Sequence, residues 1–274
     1  MIPMSDPVKT EAQSPPPRRR GPPRRVTVSR VQRLSPAMLR ITLSGPALAD
    51  FPAHLPASYI KLIFPEPGHS EPPPFTPDGP RPASMRTYTP LRFDAATQEL
   101  DVDFVLHGEG PASTWAAQAQ LGQALLLMGP GPGYPLPEAA ASYLLIGDDS
   151  ALPALETILA WLPAGMPVQA LVEVVDAREE RPLASPAALK VQWLARGTDN
   201  QLAGQPIEAA LRAQTSLLPG MPQPCHIYLA CEAAAMRRIR SQLLNDLGVP
   251  RTQLVARGYW KLGAVNHPDH DYGE

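Results

Sequence analysis

Four stretches of this 274-residue chain carry side chains whose types and spacing can do chemistry. The run Asp103-Phe104-Val105-Leu106-His107-Gly108-Glu109-Gly110-Pro111-Ala112-Ser113-Thr114-Trp115-Ala116 reads as a strand ending at His107, a glycine loop and a helix opened by Pro111. Proline is well suited to the first helical position, and the free N–H groups of a helix start attract an anion. The small Ala112 and Ser113 would let a phosphate approach the backbone. An ordinary capped helix after a tight turn reads the same way. In Arg86-Thr87-Tyr88-Thr89-Pro90, alternation puts Arg86 and Tyr88 on one strand face. A tyrosine ring can lie flat on a planar cofactor while a neighbouring arginine neutralises a phosphate. A strand with surface residues is the plainer alternative.

The other two stretches lie further on. Tyr143–Leu155 is a buried strand, a turn at Gly147-Asp148-Asp149 and a helix start. Dinucleotides bind at such strand ends in doubly wound sheets, although the usual G-x-G-x-x-G pattern is missing and the two acids suit a helix start equally well. Near the end, Arg257-Gly258-Tyr259-Trp260-Lys261 offers an aromatic pair that either packs an edge strand or covers a flat ring.

The elements that must position these residues fall into two groups. From Arg24 to Leu136 the chain is β-rich: Leu39, Ile41 and Leu43 alternate with polar residues, as do Leu100, Val102, Phe104 and Leu106. Tyr59–Phe64 and Leu125–Met128 add two buried runs. Short strands between Gly and Pro clusters predict an antiparallel barrel. From Ala141 strands alternate with helices. Strands are expected at 142–146, 168–175, 191–194, 226–230 and 254–260, and helices at 152–161, 204–212 and 233–247. That rhythm predicts a parallel sheet covered on both faces. The division is expected at 24–137 and 138–263, flanked by a Pro/Arg-rich tail over 1–23 and a polar tail over 264–274.

Composition narrows the classes. Hydrophobic residues make up 44% of the chain and the net charge is −2, so a large core is feasible and nothing draws the protein to nucleic acid. No apolar run reaches membrane-spanning length, and no secretory signal is visible. Cys225 and Cys231 would share one strand face too far apart for an unstrained disulfide, so buried free thiols and a reducing cytosol are expected. No metal site is expected.

Taken together, Lys61-Leu62-Ile63-Phe64-Pro65, Arg86–Pro90, Asp103–Ala116, Gly147–Leu155 and Gly258-Tyr259-Trp260 resemble the siderophore-interacting proteins, a branch of the ferredoxin reductase-like flavoproteins. The resemblance covers nearly everything from Arg24 to Gly263. It implies a six-stranded antiparallel barrel that holds FAD, followed by a doubly wound NAD(P)H-binding part. Arg86, Tyr88 and Thr89 would contact the flavin and its phosphates. Asp103 and His107 would line the FAD site, Gly110, Ala112 and Ser113 would cradle the pyrophosphate, and Trp115 would form a wall. Gly147, Asp148, Cys231 and Glu232 would edge the nicotinamide side, with Trp260 against the flavin. The family pattern has Gly where Cys231 stands, and some relatives carry Arg where Pro132 stands.

The implied activity is a cytoplasmic, monomeric ferric-siderophore reductase that passes electrons from NAD(P)H through FAD to iron(III). FAD accepts hydride and releases electrons singly, which suits a one-electron acceptor, so no protein acid or base is nominated as catalytic. Lys61 and Lys261 would steer and hold an anionic chelate. At least one of Arg237, Arg238 and Arg240, after Glu232, could reach a 2′-phosphate, which predicts a preference for NADPH over NADH; a solvated basic helix face reads the same way. The rivals are a flavin-dependent reductase with another acceptor and a non-catalytic siderophore-binding protein. The βαβ second half counts against the latter.

Overall fold

The computed structural model describes residues 22–76, 79–107, 110–197, 202–214 and 216–264. Most of the two expected tails, together with Gly108 and Glu109 of the glycine loop, lies outside the described residues.

The first half is one antiparallel sheet of seven strands: β1 (Arg24–Ser35), β2 (Met38–Ser44), β3 (Ile60–Ile63), β4 (Met85–Tyr88), β5 (Pro90–Asp94), β6 (Glu99–Val105) and β7 (Ala124–Met128). Their order is β4-β3-β7-β1-β2-β6-β5. The expectation was six strands. The difference lies at Thr89, the single residue between β4 and β5. One extended run pairs with β3 at one edge of the sheet, passes Thr89, and pairs with β6 at the other edge. The two edges are therefore adjacent in the chain, and the sheet must curl on itself. Period-two alternation fills the inside with Val26, Val28, Ile41, Leu43, Ile60, Leu62, Leu100, Val102, Phe104, Leu125 and Leu127, all buried. β1 escaped the sequence reading because its second half, from Arg30 to Arg33, is exposed and shows no alternation.

The second half is a five-stranded sheet of β8 (Ser142–Asp148), β9 (Pro167–Val174), β10 (Ala188–Ala195), β11 (Cys225–Glu232) and β12 (Leu254–Trp260). All its pairings are parallel and its order is β10-β9-β8-β11-β12. Every residue of β8 is buried, as a central parallel strand covered on both faces requires. Helix α2 (Leu152–Trp161) packs Leu155, Ile158 and Leu159 on one face of the sheet. On the other face lie α3 (Gln205–Ala213) and α4 (Ala233–Ser241), through Ile207, Leu211, Met236 and Ile239. The helix expected to run to Leu247 is α-helical only to Ser241 and widens into a π-turn over Gln242–Asp246. The short helix α1 (Pro111–Ala117) belongs to the barrel half.

Charges fasten the two halves. Asp103 on β6, with no side-chain exposure, accepts both Arg40 Nε (2.7 Å) and Arg40 Nη2 (3.0 Å). Arg181 lies 3.7 Å from Asp103 and 2.7 Å from Glu156 of α2, which is also 3.5 Å from Arg40. Nearby, Glu179 accepts Ser35 Oγ and the Ala37 N–H, the latter at 2.9 Å. Breaking a buried pair strands a charge, whereas an exposed pair adds little. Arg40→Met should destabilise the protein by about 3 kcal/mol in chemical denaturation, because Asp103 keeps only a more distant partner. Arg178→Met, which breaks an Arg178–Asp176 pair whose arginine side chain is 75% exposed, should leave the denaturation midpoint unchanged.

Candidate active site

The end of β4 and the corner at Thr89 bring Arg86, Tyr88 and Thr89 to the mouth of the barrel. Tyr88 joins an aromatic cluster in which its ring centroid is 4.4 Å from Phe104. Phe104 and Phe64 in turn contact Trp115 of α1, at 5.7 and 4.9 Å. Two donors in this region are unsatisfied. Arg86 gives Nη1 to the carbonyls of Ala83 and Met85, but its buried Nη2 has no partner, and neither does the buried indole N–H of Trp115. Burial depresses the Arg86 guanidinium from its ordinary value, and the neighbouring Tyr88 offsets this only in part. Buried donors without acceptors are rare in native proteins, so an acceptor-rich anionic group such as a flavin phosphate fits here. The α1 entry is held by the His107 N–H, which donates to Ser113 Oγ at 3.0 Å. Ala112 and Ser113 are both buried beside Gly110.

Across the seam, the carboxyl ends of β8, β11 and β12 converge on Asp148. Its Oδ1 accepts the Ser150 N–H (3.0 Å) and hydroxyl (2.5 Å). Its Oδ2 accepts the Glu232 N–H (2.9 Å) and the Trp260 indole N–H (2.8 Å). Gly147 leaves room for this turn: a Cβ there would stand 2.8 Å from the Ala151 Cβ and 3.1 Å from the Ala230 carbonyl. Glu232 caps α4 by accepting the Ala235 N–H at 2.8 Å and also accepts the Leu262 N–H at 3.3 Å. Trp260 then stacks on His107 of the barrel, with centroids 6.2 Å apart and planes 25° apart. The sequence-selected His107, Gly147, Asp148, Glu232 and Trp260 are thus one connected group.

Other selected residues fall elsewhere. Asp103 is engaged by Arg40 on the strand face opposite Phe104, so its carboxylate serves the fastening between the halves. Lys61 is only 6% exposed and shares a strand face with Ile63, which packs on Met85 and Met128; it is not the open surface cation the sequence suggested. Lys261, directly after β12, is exposed. Arg238 is committed to Glu208 (2.8 Å) and the Ala203 carbonyl (2.6 Å). Cys225 and Cys231 are free and buried. Beside Pro132, Gly131 lies under the Tyr59 ring, which a Cβ would meet at 2.3 Å.

Sequence reasoning missed Glu173, and it read Asp149 only as one of two acids at a turn or helix start. Glu173 interrupts the apolar run of β9 and is 1% exposed; it accepts Arg196 (3.1 Å) and the Gly204 N–H (2.8 Å). A lone acid inside such a run was the available signal. Burial pushes Asp149 up to about 7, with Asp148 adding to the shift, and burial also pushes Glu173 up to about 7 against the pull of Arg196.

This fold and site define a two-part oxidoreductase: an antiparallel barrel built for a flavin nucleotide, joined to a doubly wound sheet whose switch point is built for a pyridine dinucleotide. Residues 27–134 match the family described as "Siderophore-interacting FAD-binding domain", and residues 140–263 match that described as "Siderophore-interacting protein". The chain belongs to the siderophore-interacting protein family. It is 32% identical over 268 residues to the ferric vibriobactin reductase ViuB of Vibrio cholerae, covering 91% of this chain and 93% of that one. It is 40% identical over 199 residues to an NADPH-dependent ferric-chelate reductase of Escherichia coli, covering 68% and 78%. A siderophore utilization protein from T. fusca has the same fold, with a TM-score of 0.75, 33% identity and coverage of 92% and 97%.

The two raised carboxyls give a stability signature. Unfolded Asp and Glu ionise near pH 4, so for Asp149 and Glu173 the contribution to stability is fully present below pH 4 and is lost as pH rises to about 7. Asp149→Asn should therefore raise Tm at pH 8, by roughly 2–4 °C per kcal/mol relieved. The gain should shrink steadily from pH 7 to pH 4 in a differential-scanning series.

Proposed function

We propose that this protein is a ferric-siderophore reductase that takes hydride from NADPH or NADH and delivers electrons through FAD to siderophore-bound iron(III). The observation that carries the reading is the seam. A barrel mouth with unsatisfied buried donors is tied to a dinucleotide switch point by the His107–Trp260–Asp148 chain. The boundaries in the proposal are those of the two halves, 24–137 and 138–263.

Bound FAD would supply the redox chemistry, accepting a hydride and passing electrons on singly. This chain's residues bind and orient. Arg86 holds the flavin phosphates, with Gly110, Ala112 and Ser113 allowing close backbone approach. Tyr88, Thr89, His107 and Trp115 shape the ring's seat. Trp260, held by Asp148, closes the seat from the opposite half. Gly147 keeps the strand end open for the dinucleotide, and Glu232 fixes the start of α4 beside it. Coenzyme preference for NADPH would rest on the basic face of α4 that carries Arg237, Arg238 and Arg240.

The acceptor arrives wrapped in its own oxygen ligands, so the protein need only steer and hold it. Lys261 stands exposed beside Trp260 and suits an anionic chelate as a point charge. Pro132 removes a second charge, which shifts preference towards less anionic chelates such as hydroxamate or citrate complexes. Reduction weakens the hold of hard oxygen ligands, and iron(II) is released. We assign the protein to the cytosol as a monomer; its free thiols suit a reducing medium.

The purified protein should carry FAD, whose absorption bleaches on addition of NADPH. Arg86→Ala should weaken FAD binding by about 1.5–3 kcal/mol, roughly 10- to 150-fold, in fluorescence titrations. Natively folded protein that neither contains nor takes up FAD would refute the reading. Lys261→Ala should raise KM for a ferric catecholate at low salt and flatten its salt dependence, with FAD content unchanged.

A further inference from the structure

Ser84 lies directly before β4, in a turn closed by the Met85 N–H, which donates to the Pro82 carbonyl at 3.1 Å. The residue is 6% exposed, and its buried hydroxyl has no partner among the described residues. A serine hydroxyl both donates and accepts, and buried ones are nearly always satisfied. Its surroundings show what it is missing.

Arg86 folds back onto the same turn. Its Nη1 donates to the Ala83 carbonyl at 2.7 Å and to the Met85 carbonyl at 2.8 Å, the residues on either side of Ser84. Those two bonds draw the guanidinium against the Ser84 backbone and fix its direction. The other terminal nitrogen, Nη2, is buried and also lacks an acceptor. Met85 packs with Ile63 and Met128, so alternation sends Ser84 and Arg86 to the opposite side, where Arg86 stands beside Leu62 of the barrel interior. One turn therefore holds two unsatisfied donors of different kinds, a charged N–H and a neutral O–H. An acceptor that serves both must be negative, to suit Arg86, and must present several oxygens in one small group. Phosphate has both properties.

We propose that Ser84 is a phosphate ligand of the bound flavin nucleotide: its hydroxyl donates to the phosphate group that Arg86 Nη2 also holds. The inference rests on the reading above that Arg86 meets the flavin phosphates, and it adds a residue outside the Arg86–Pro90 motif. Serine brings no charge, so it does nothing at a distance. It acts on contact, by orienting the group that arginine attracts.

The test uses the full-length protein, stripped of flavin and titrated with FAD and with riboflavin, which has the ring but no phosphate. Ser84→Ala should weaken FAD binding roughly tenfold, the scale of one hydrogen bond to a charged group, and leave riboflavin binding unchanged. In an Arg86→Ala background the same change should weaken FAD by less than about threefold further, because two ligands of one phosphate act together. Flavin-free Ser84→Ala should melt no lower than flavin-free wild type, since the hydroxyl has no protein partner to lose; only with FAD bound should its Tm be the lower. Unchanged FAD affinity, equal weakening of FAD and riboflavin, fully independent losses in the double variant, or a lower Tm without flavin would each overturn the proposal. If riboflavin does not bind, the double variant and the melting comparison decide. Wild-type protein that takes up no FAD is a different outcome, which fails the underlying reading first.

Discussion

The arrangement depends on one carboxylate receiving four hydrogen bonds. Asp148 takes donors from Ser150, Glu232 and Trp260, which belong to three different segments of the chain. Hydrogen bonds to an ionised acceptor contribute about 1.5–3 kcal/mol each, more than a neutral one. Together they fix the ends of β8, β11 and β12 relative to one another. Because Trp260 also stacks on His107, the same carboxylate sets where the barrel meets the parallel sheet. The neighbouring Asp149 is buried as well, and burial, with the adjacent Asp148 adding to it, pushes it up to about 7.

The two faces of the seam have opposite character. The barrel side offers surplus donors, on Arg86 and Trp115, and the sheet side offers carboxylates, Asp148, Asp149, Glu173 and Glu232. The barrel donors suit phosphate oxygens, whereas the acids at the sheet's strand ends are held by donors of their own, Asp148 by Ser150, Glu232 and Trp260, and Glu173 by Arg196 and the Gly204 N–H.

Much of this was legible in the sequence where a period was clean. Helix α2 and strand β12 have the expected bounds, because Leu152–Trp161 and Leu254–Trp260 are bracketed by sharp turn signals. The end of α4 was not legible, since a π-turn uses the same helix-forming residues. The seventh strand was hidden by Thr89-Pro90, where one extended run serves two edges. In the site, Asp148 and Trp260 could be selected by type and place, but not the bond between them, which spans 112 residues. The burial of Lys61 was not legible because alternation assigns a face but cannot say how far that face is covered. Tyr259 looked like packing because its partner hydroxyl, that of Tyr228, lies in another strand.

The packing of Gly131 beneath Tyr59 has an evolutionary side. The Gly133 position is equally tight, with the Pro56 carbonyl 2.5 Å from where a Cβ would stand. Drift is closed at both glycines, while residue 132 between them already bears a side chain. Exchange of the residue at that one place therefore disturbs the surrounding backbone least, so variation along this segment is channelled to a single position between two fixed ones.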